Sequence, residues 1–260
     1  MKNYLNLLLL LLASFTVNAQ DISNSLAGYY KNNSNDGWYT SIHFNGKGHA
    51  LVNDSAPAEY FQKGENVYVL VDNNVFILTL TKKELKGIST WVEKLKFKPQ
   101  AVPTDDDYLR EFNQYTIDPN LLYAYFLENF DEKTGDASMN GLMNPSEYTN
   151  SMEKLCDKDL TISCGALFGM ISLEELGGMD ALLSDSVKQI KENPKLEKLA
   201  NKMIALQDFR GYGLLGSYYL MIGNETKARE IFDLGSENGD EKSSLAIFEM
   251  ELNNINSEEE

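Results

Sequence analysis

Apolar residues alternate over residues 38–44, within a series of short strand-like runs before residue 100, and recur with helical spacing after residue 120. A period of two fits one face of a β-strand and a period near 3.6 fits one face of a helix, so the two stretches belong to different architectures. In Trp38-Tyr39-Thr40-Ser41-Ile42-His43-Phe44, Trp38, Thr40, Ile42 and Phe44 share one face, and Tyr39, Ser41 and His43 the other. Asn45-Gly46-Lys47-Gly48 is a turn signal, and residues 49–52 return as the second strand of a hairpin. After a loop around Pro57, residues 67–71, 75–80 and 91–97 read as further strands, with Asp72-Asn73-Asn74 as a turn and a break at 85–87. Short strands in series predict a small antiparallel β meander, curled into a barrel or sandwich, over residues 21–100.

Pro103 and the three aspartates at 105–107 place a linker over 101–119. Beyond it, residues 121–130, 146–155, 165–176, 181–190, 196–206, 213–221, 226–234 and 243–252 show helical spacing, with Gly or Pro between them. Helices of this length with short connections predict stacked antiparallel pairs over 120–252. Residues 253–260 read as an acidic tail, frayed from Ser257. The expected class is α+β: a small antiparallel β meander or barrel followed by α-helical hairpins arranged as a short α-solenoid.

The N-terminus reads as a signal peptide over 1–19. Lys2 precedes a leucine run at 7–12, and Val17 and Ala19 occupy the −3 and −1 places of a cleavage site. The run is too short to span a bilayer of about 30 Å, and no cysteine stands at the site to carry a lipid. The expectation is a periplasmic or secreted protein with no membrane insertion after cleavage. The formal net charge of −16 argues against nucleic acid and anionic lipid headgroups as partners. It would suit a basic partner, but the favoured reading is an ordinary solubility device. The only two cysteines, Cys156 and Cys164, are expected to form a disulfide in such a compartment, stabilising the chain by about 2.5 kcal/mol at best.

The best-defined helical unit runs from Gly211 to Gly239. Gly216 and Ala228 are small residues where two helices would cross, with Tyr218, Tyr219, Ile231 and Phe232 filling the seam. The motif Leu215-Gly216-Ser217-Tyr218-Tyr219, then Gly223-Asn224, then Lys227-Ala228-Arg229-Glu230-Ile231-Phe232 closely resembles the Sel-one-like repeat, a relative of the tetratricopeptide repeat. In cysteine-rich members of that family, one cysteine ends the second helix of a repeat and another opens the next helix eight positions later. Cys156 and Cys164 are eight apart, and Ser236 and Ser244 occupy the equivalent places of the last repeat. The resemblance covers about half the chain. It departs at Phe168, where the family usually has glycine, and in extra residues around 184–194. It implies a concave protein-binding surface, and family members include adaptors and proteins resembling immunity proteins against secreted type VI effectors.

No nucleophile elbow, phosphate loop or HExxH spacing is present in the sequence, so no catalytic residue and no cofactor is assigned. His43 and His49 lie on facing strands, and Asp36 or Glu59 could join them as a metal site; the favoured reading is two surface imidazoles. Asp136, Ser138, Asn140, Gly141 and Glu147 fit an EF-hand loop pattern, yet only Asp136 and Glu147 carry charge, and the favoured reading is the connection between paired helices, with Gly141 enabling the turn and Pro145 opening the next helix. Tyr123, Tyr125, Phe126 and Phe130 lie at helical spacing and read as core. Asn32, Asn53 and Asn224 open Asn-x-Ser/Thr triplets. The expected function is a non-enzymatic, exported protein-binding module, with a basic toxin or effector as one partner class. The alternative is a small-molecule or lipid carrier built on the β region, whose Gly28-Tyr29-Tyr30 resembles the opening strand of lipocalin-like barrels.

Overall fold

The computed structural model describes residues 21–32, 38–71, 74–82, 84–103, 115–184 and 190–258. The expected signal peptide, Asp36 and the three aspartates of the linker lie outside them. The strands are β1 (Ile22–Ser23), β2 (Ala27–Asn32), β3 (Ser41–Asn45), β4 (His49–Val52), β5 (Ala56–Lys63), β6 (Asn66–Val71), β7 (Asn74–Leu80), β8 (Leu85–Gly87) and β9 (Lys96–Gln100). Every pairing is antiparallel, in the order β5-β4-β3-β2-β9-β8-β7-β6. The β5–β6 pairing closes the ring into an eight-stranded barrel, and β1 adds to the far half of β5.

The barrel interior holds Phe44, Tyr60, Phe76, Leu78 and Phe97, all essentially inaccessible to solvent. Several boundaries differ from the expected ones. The strand containing Ile42 and Phe44 starts only at Ser41, and Trp38 stands out in solvent, 92% exposed, rather than sharing their inward face. Pro57 lies inside β5 and not in a loop, at a point where β5 has β4 on one edge and has not yet reached β6. A residue without an N–H is tolerated there because no ladder donor is required on the open side. Residues 85–87, expected as a break, are the short strand β8, whereas 89–94 form the turn before β9.

The helices are α1 (Pro119–Asn129), α2 (Asn140–Met143), α3 (Pro145–Asp157), α4 (Thr161–Glu175), α5 (Gly178–Leu183), α6 (Pro194–Ala205), α7 (Arg210–Met221), α8 (Glu225–Glu237) and α9 (Glu241–Glu258). Asp118, Asn193 and Asn224 cap α1, α6 and α8 through side-chain bonds to backbone N–H groups, and proline opens α1, α3 and α6. The final helix continues to Glu258, past the point where a tail was expected. Its neighbours along the chain pack in series: α3 on α4, α4 on α6, α6 on α7, α7 on α8 and α8 on α9. Contacts also skip one member, from α4 to α7 and from α7 to α9.

Glycines bring helix α7 close to its neighbours. A Cβ on Gly216 would lie 2.4 Å from the Phe232 ring, and one on Gly211 would lie 2.7 Å from the Ala200 carbonyl. Only glycine admits such approaches without moving a neighbour. Ala228, Tyr218, Tyr219 and Phe232 are buried in the seam, as the sequence motif predicts, and Ile231 is only partly buried beside them.

The helical core is not closed by helices alone. Its apolar cluster includes Phe61, Tyr68, Leu70, Val75 and Ile77 from the outer face of β5, β6 and β7. Helix α1 lies against that face, with the Phe126 ring edge-on to Phe61 at 5.4 Å and to Tyr68 at 5.2 Å. The aromatic stripe on α1 is therefore core, as expected, but it is core shared with the barrel.

Candidate functional site

The seam between barrel and helices holds a cluster of buried ionisable groups. Glu59 points outward from β5 because its neighbours Ala58 and Tyr60 point in, and it is paired in register with His49 on β4. Arg210, the first residue of α7, donates through Nη2 to Glu59 Oε1 at 2.5 Å and to Asp208 Oδ2 at 2.6 Å. Its Nε donates to Asp208 Oδ1 at 2.8 Å. The Asp208 side chain is 0% exposed and that of Glu59 5%. On the other side, the Tyr115 hydroxyl bonds the Thr161 hydroxyl, and His49 Nε2 lies 3.0 Å from the Tyr115 carbonyl. A carbonyl can only accept, so Nε2 carries the proton.

Burial pushes the Glu59 carboxyl up, Arg210 opposes that rise and Asp208 adds to it. Burial would raise Asp208 as well, but the Arg210 charge and hydrogen bonds outweigh it and hold Asp208 below the ordinary carboxylate range. Burial brings His49 down to about 4, against the opposing bond to Tyr115. At neutral pH the cluster is thus an Arg210–Asp208 ion pair with Glu59 on the same guanidinium, beside a neutral imidazole. Each charged member is engaged by another, which is the arrangement of a clamp between two halves. A second clamp lies nearby, where Lys63 of β5 bonds Glu132 and, at 2.6 Å, the Tyr123 hydroxyl. The bond to Glu132 is the main reason Lys63 is pushed up to about 12.

Beside the first clamp opens a cleft of about 480 Å³, between Pro57 and Glu59 on the barrel and Leu214, Asp240 and Lys242 on the helices. Another surface, away from the barrel, is more apolar. A groove of about 560 Å³ runs between the α2–α3 corner and the end of α4 with α5. Leu142, Met170, Leu173 and Met179 line it. Met143 beside it is 74% exposed and Leu183, at the end of α5, 82%.

The histidines do not form one site. Register pairs His43 with Leu51 and His49 with Glu59, and each has different company. His43 lies edge-on to Tyr29 at 5.7 Å, whereas His49 is edge-on to Tyr115 at 4.6 Å. The reading of both as surface imidazoles fails for His49, which the 115–118 segment and Arg210 cover. Among the described residues no group of three or more His, Cys, Asp or Glu could hold a metal ion. In the EF-hand-like stretch, Ser138 Oγ and Asn140 Nδ2 both donate to the Glu128 carbonyl, at 2.8 and 3.1 Å, and a helical turn already begins at Asn140. Those two side chains thus close the α1 end of the connection.

Cys156 and Cys164 lie with their sulfurs 2.05 Å apart, at bonding distance, between α3 and α4. Lys202 of α6 donates to the Cys156 carbonyl at 2.6 Å and pairs with Asp159 at 2.8 Å, which ties the disulfide turn to the next helix. Between α8 and α9, Ser236 Oγ and Ser244 Oγ are 2.9 Å apart and hydrogen-bonded. The triplet asparagines Asn53 and Asn224 are engaged with backbone, at Trp38 and Thr40 and at Lys227.

Sequence reasoning missed Arg210 and Asp208, which lie 151 and 149 residues from Glu59. One signal pointed at the seam. Val67-Tyr68-Val69-Leu70-Val71 and Val75-Phe76-Ile77-Leu78 are unbroken apolar runs, unlike the alternation around Ile42, and such runs mark strands covered on both faces. Comparison with known proteins adds no relative: no family model, no curated protein and no solved structure matches this chain.

Proposed function

We propose that this chain is an exported protein-binding module whose helices are Sel-one-like repeats and whose partner docks on the helical half. The observation that carries the reading is the methionine-rich groove of α2 to α5. Large apolar side chains left open together are uncommon on a monomer unless another molecule covers them, and methionine suits a surface that adapts to a partner. Support for the repeat comes from the serial packing of helices and from the Ser236–Ser244 bond, which joins α8 to α9 with the same eight-residue spacing as the disulfide joining α3 to α4. Export is supported by the disulfide, and among the described residues no helix is long and apolar enough to cross a membrane.

The barrel narrows the choice of surface. Its β5 wall lies against α1 and the start of α7, so part of the face expected to be free is covered from within the chain. The interior that a carrier function needs is filled by Phe44, Tyr60, Phe76 and Phe97. A specific form of the proposal is neutralisation of a basic secreted toxin. Residues 101–260 carry 13 Lys and Arg against 31 Asp and Glu, which would attract such a partner.

The test is affinity capture from the cells that export the protein, with the intact chain and with Met143→Glu and Met179→Glu combined. A stoichiometric partner lost on that substitution supports the reading, as does loss on deleting the helices. A partner retained by the groove variant and by the helix deletion overturns it.

A further inference from the structure

We propose that the barrel wall turned away from the helices, with the tryptophan-bearing end next to it, docks the protein on an anionic lipid bilayer surface. In the ring of eight strands, β9 lies four steps from β5 in either direction. The strand that meets the helices and the strand that carries this wall are therefore diametrically opposed. On β2, β9 and β8 the register sets Lys31 directly beside Lys98 and Lys86 directly beside Lys96. All four are exposed, and Lys82 and Lys98 come together with Lys86 around a shallow hollow at the β7–β8 turn.

Like charges placed directly opposite on paired strands weaken a sheet, so barrel stability does not account for the pattern. Within the wall Glu84 lies 3.7 Å from Lys86, and a countercharge supplied from outside accounts for the remaining lysines. Residues 21–100 carry nine Lys and Arg against eight Asp and Glu, and among the described residues six of the lysines stand on this wall or the turns at its ends, with Glu84 and Glu93 as the acidic residues of those turns. The acidic excess of the chain belongs to residues 101–260. An eight-stranded barrel is on the order of 15 Å across, beyond the Debye length of about 8 Å at physiological salt. The helical charges are thus largely screened from a surface touching the β9 wall.

The apolar part of the surface is an end of the same wall. The β2–β3 and β8–β9 connections leave the barrel at one end, because connections alternate ends in an antiparallel meander, and they are neighbours because β2 pairs with β9. They carry Trp38, Ile88 and Trp91, all exposed, and the two tryptophans are the only ones in the chain. A ring that stacks on a sugar or a base lies flat on the protein with one face covered. Trp38 is covered on neither face, as its exposure above shows, and a free-standing indole beside lysines fits the boundary between headgroups and acyl chains. This favours a bilayer over a soluble polyanion. Docked this way, the helices and their groove face away from the membrane.

Tryptophan emission reads the contact directly. The chain recovered after export would be titrated with vesicles of phosphatidylcholine, alone and mixed with phosphatidylglycerol, and sedimented with them. The expected result is a blue shift and co-sedimentation with the anionic vesicles only, weakened by salt. Each lysine near such a surface is worth roughly a fivefold gain in affinity, so Lys86→Glu, Lys96→Glu and Lys98→Glu together should lose at least about 100-fold. Trp38→Ser should weaken binding while the Trp91 shift persists, and Lys198→Glu on α6 should change nothing. Circular dichroism of each variant, and the wild-type emission itself, keep the result independent of any folding defect. An unshifted wild-type emission with anionic vesicles, undiminished binding by the triple variant, or capture of heparin at this wall without vesicle binding would each overturn the proposal.

Discussion

The two halves of this molecule bury their apolar surface in different ways. The barrel core, with Ile42, Phe44, Val52, Tyr60, Val69 and Phe97, consists of barrel residues alone. The helical core runs from α1 to α8 but begins on the outside of the barrel, at Phe61, Tyr68, Leu70, Val75 and Ile77. One half is self-contained and the other is completed by its neighbour. The asymmetry extends to charge, near balance in the barrel and strongly acidic in the helices. A net charge of −16 taken over the whole chain hides a wall of lysines on the barrel.

If the helices depend on the barrel, cutting the clamp should hurt them most. Arg210→Ala leaves Glu59 and Asp208 as buried carboxylates without their cation, which costs about 3–5 kcal/mol. In urea, the helical amides should then lose hydrogen-exchange protection at lower denaturant than the barrel amides, whereas the two should coincide in the wild type. Coincident transitions at an unchanged midpoint would mean that the seam holds without the guanidinium.

The same seam should set the acid limb of stability. His49 titrates near 4 when folded and at 6.5 when free. The folded state therefore binds fewer protons, and the stabilisation is complete above pH 6.5 and lost as pH falls from there to about 4. It is worth on the order of 3 kcal/mol. Glu59 has the opposite sign: its folded carboxyl is raised, so its contribution declines as pH rises past its ordinary value of 4.5. Melting temperature should drop between pH 6.5 and 4, less in His49→Gln and more steeply in Glu59→Gln. A limb unchanged by His49→Gln would rule out the imidazole as its source.

How much of this was legible in the sequence follows from the range of each interaction. Local periodicity was enough for the inward face of β3 and for the helices of residues 194–237, and apolar runs were enough for the presence of β6 and β7. Periodicity failed at Trp38, where the alternation continues past the end of the strand, and at β5, where Pro57 resembles a loop. Both are cases in which pairing with a distant strand, not local preference, decides the conformation. The cysteine pair could be read because its members are close in sequence. The Glu59–Arg210 contact could not, since nothing local distinguishes Arg210 from any helix-opening arginine. The lysine wall needs the register of three strands.

Within the helical half, the two cross-links of equal spacing invite comparison. Replacing Cys156 and Cys164 by serine removes up to about 2.5 kcal/mol of chain-entropy stabilisation. Ser236 and Ser244 hold the equivalent place by a hydrogen bond, which is worth about 0.5–1.5 kcal/mol. The double serine variant should therefore lose about 1–2 kcal/mol in urea denaturation. A loss equal to that of the double alanine variant would show that serines at that spacing contribute no bond. Gly216→Ala, which drives a methyl into the Phe232 ring, should cost about 1–3 kcal/mol. Combining it with Phe232→Leu should recover part of that loss.

The smallest effect has the opposite sign. Lys31 and Lys98 are direct cross-strand neighbours on the exposed wall, and like charges in that position destabilise a sheet by about 0.2–1 kcal/mol. Lys98→Glu converts the repulsion into an attraction and should raise the melting temperature slightly, with the gain shrinking as salt is added. The helical half should be indifferent to it, because β9 lies across the barrel from the β5 seam. A protein that is more stable with the wall neutralised would be one whose lysines are held in place for a purpose other than folding. A loss of stability in Lys98→Glu would instead mean that the lysines support the barrel through their alkyl stems, and that the repulsion across β2 and β9 is already screened.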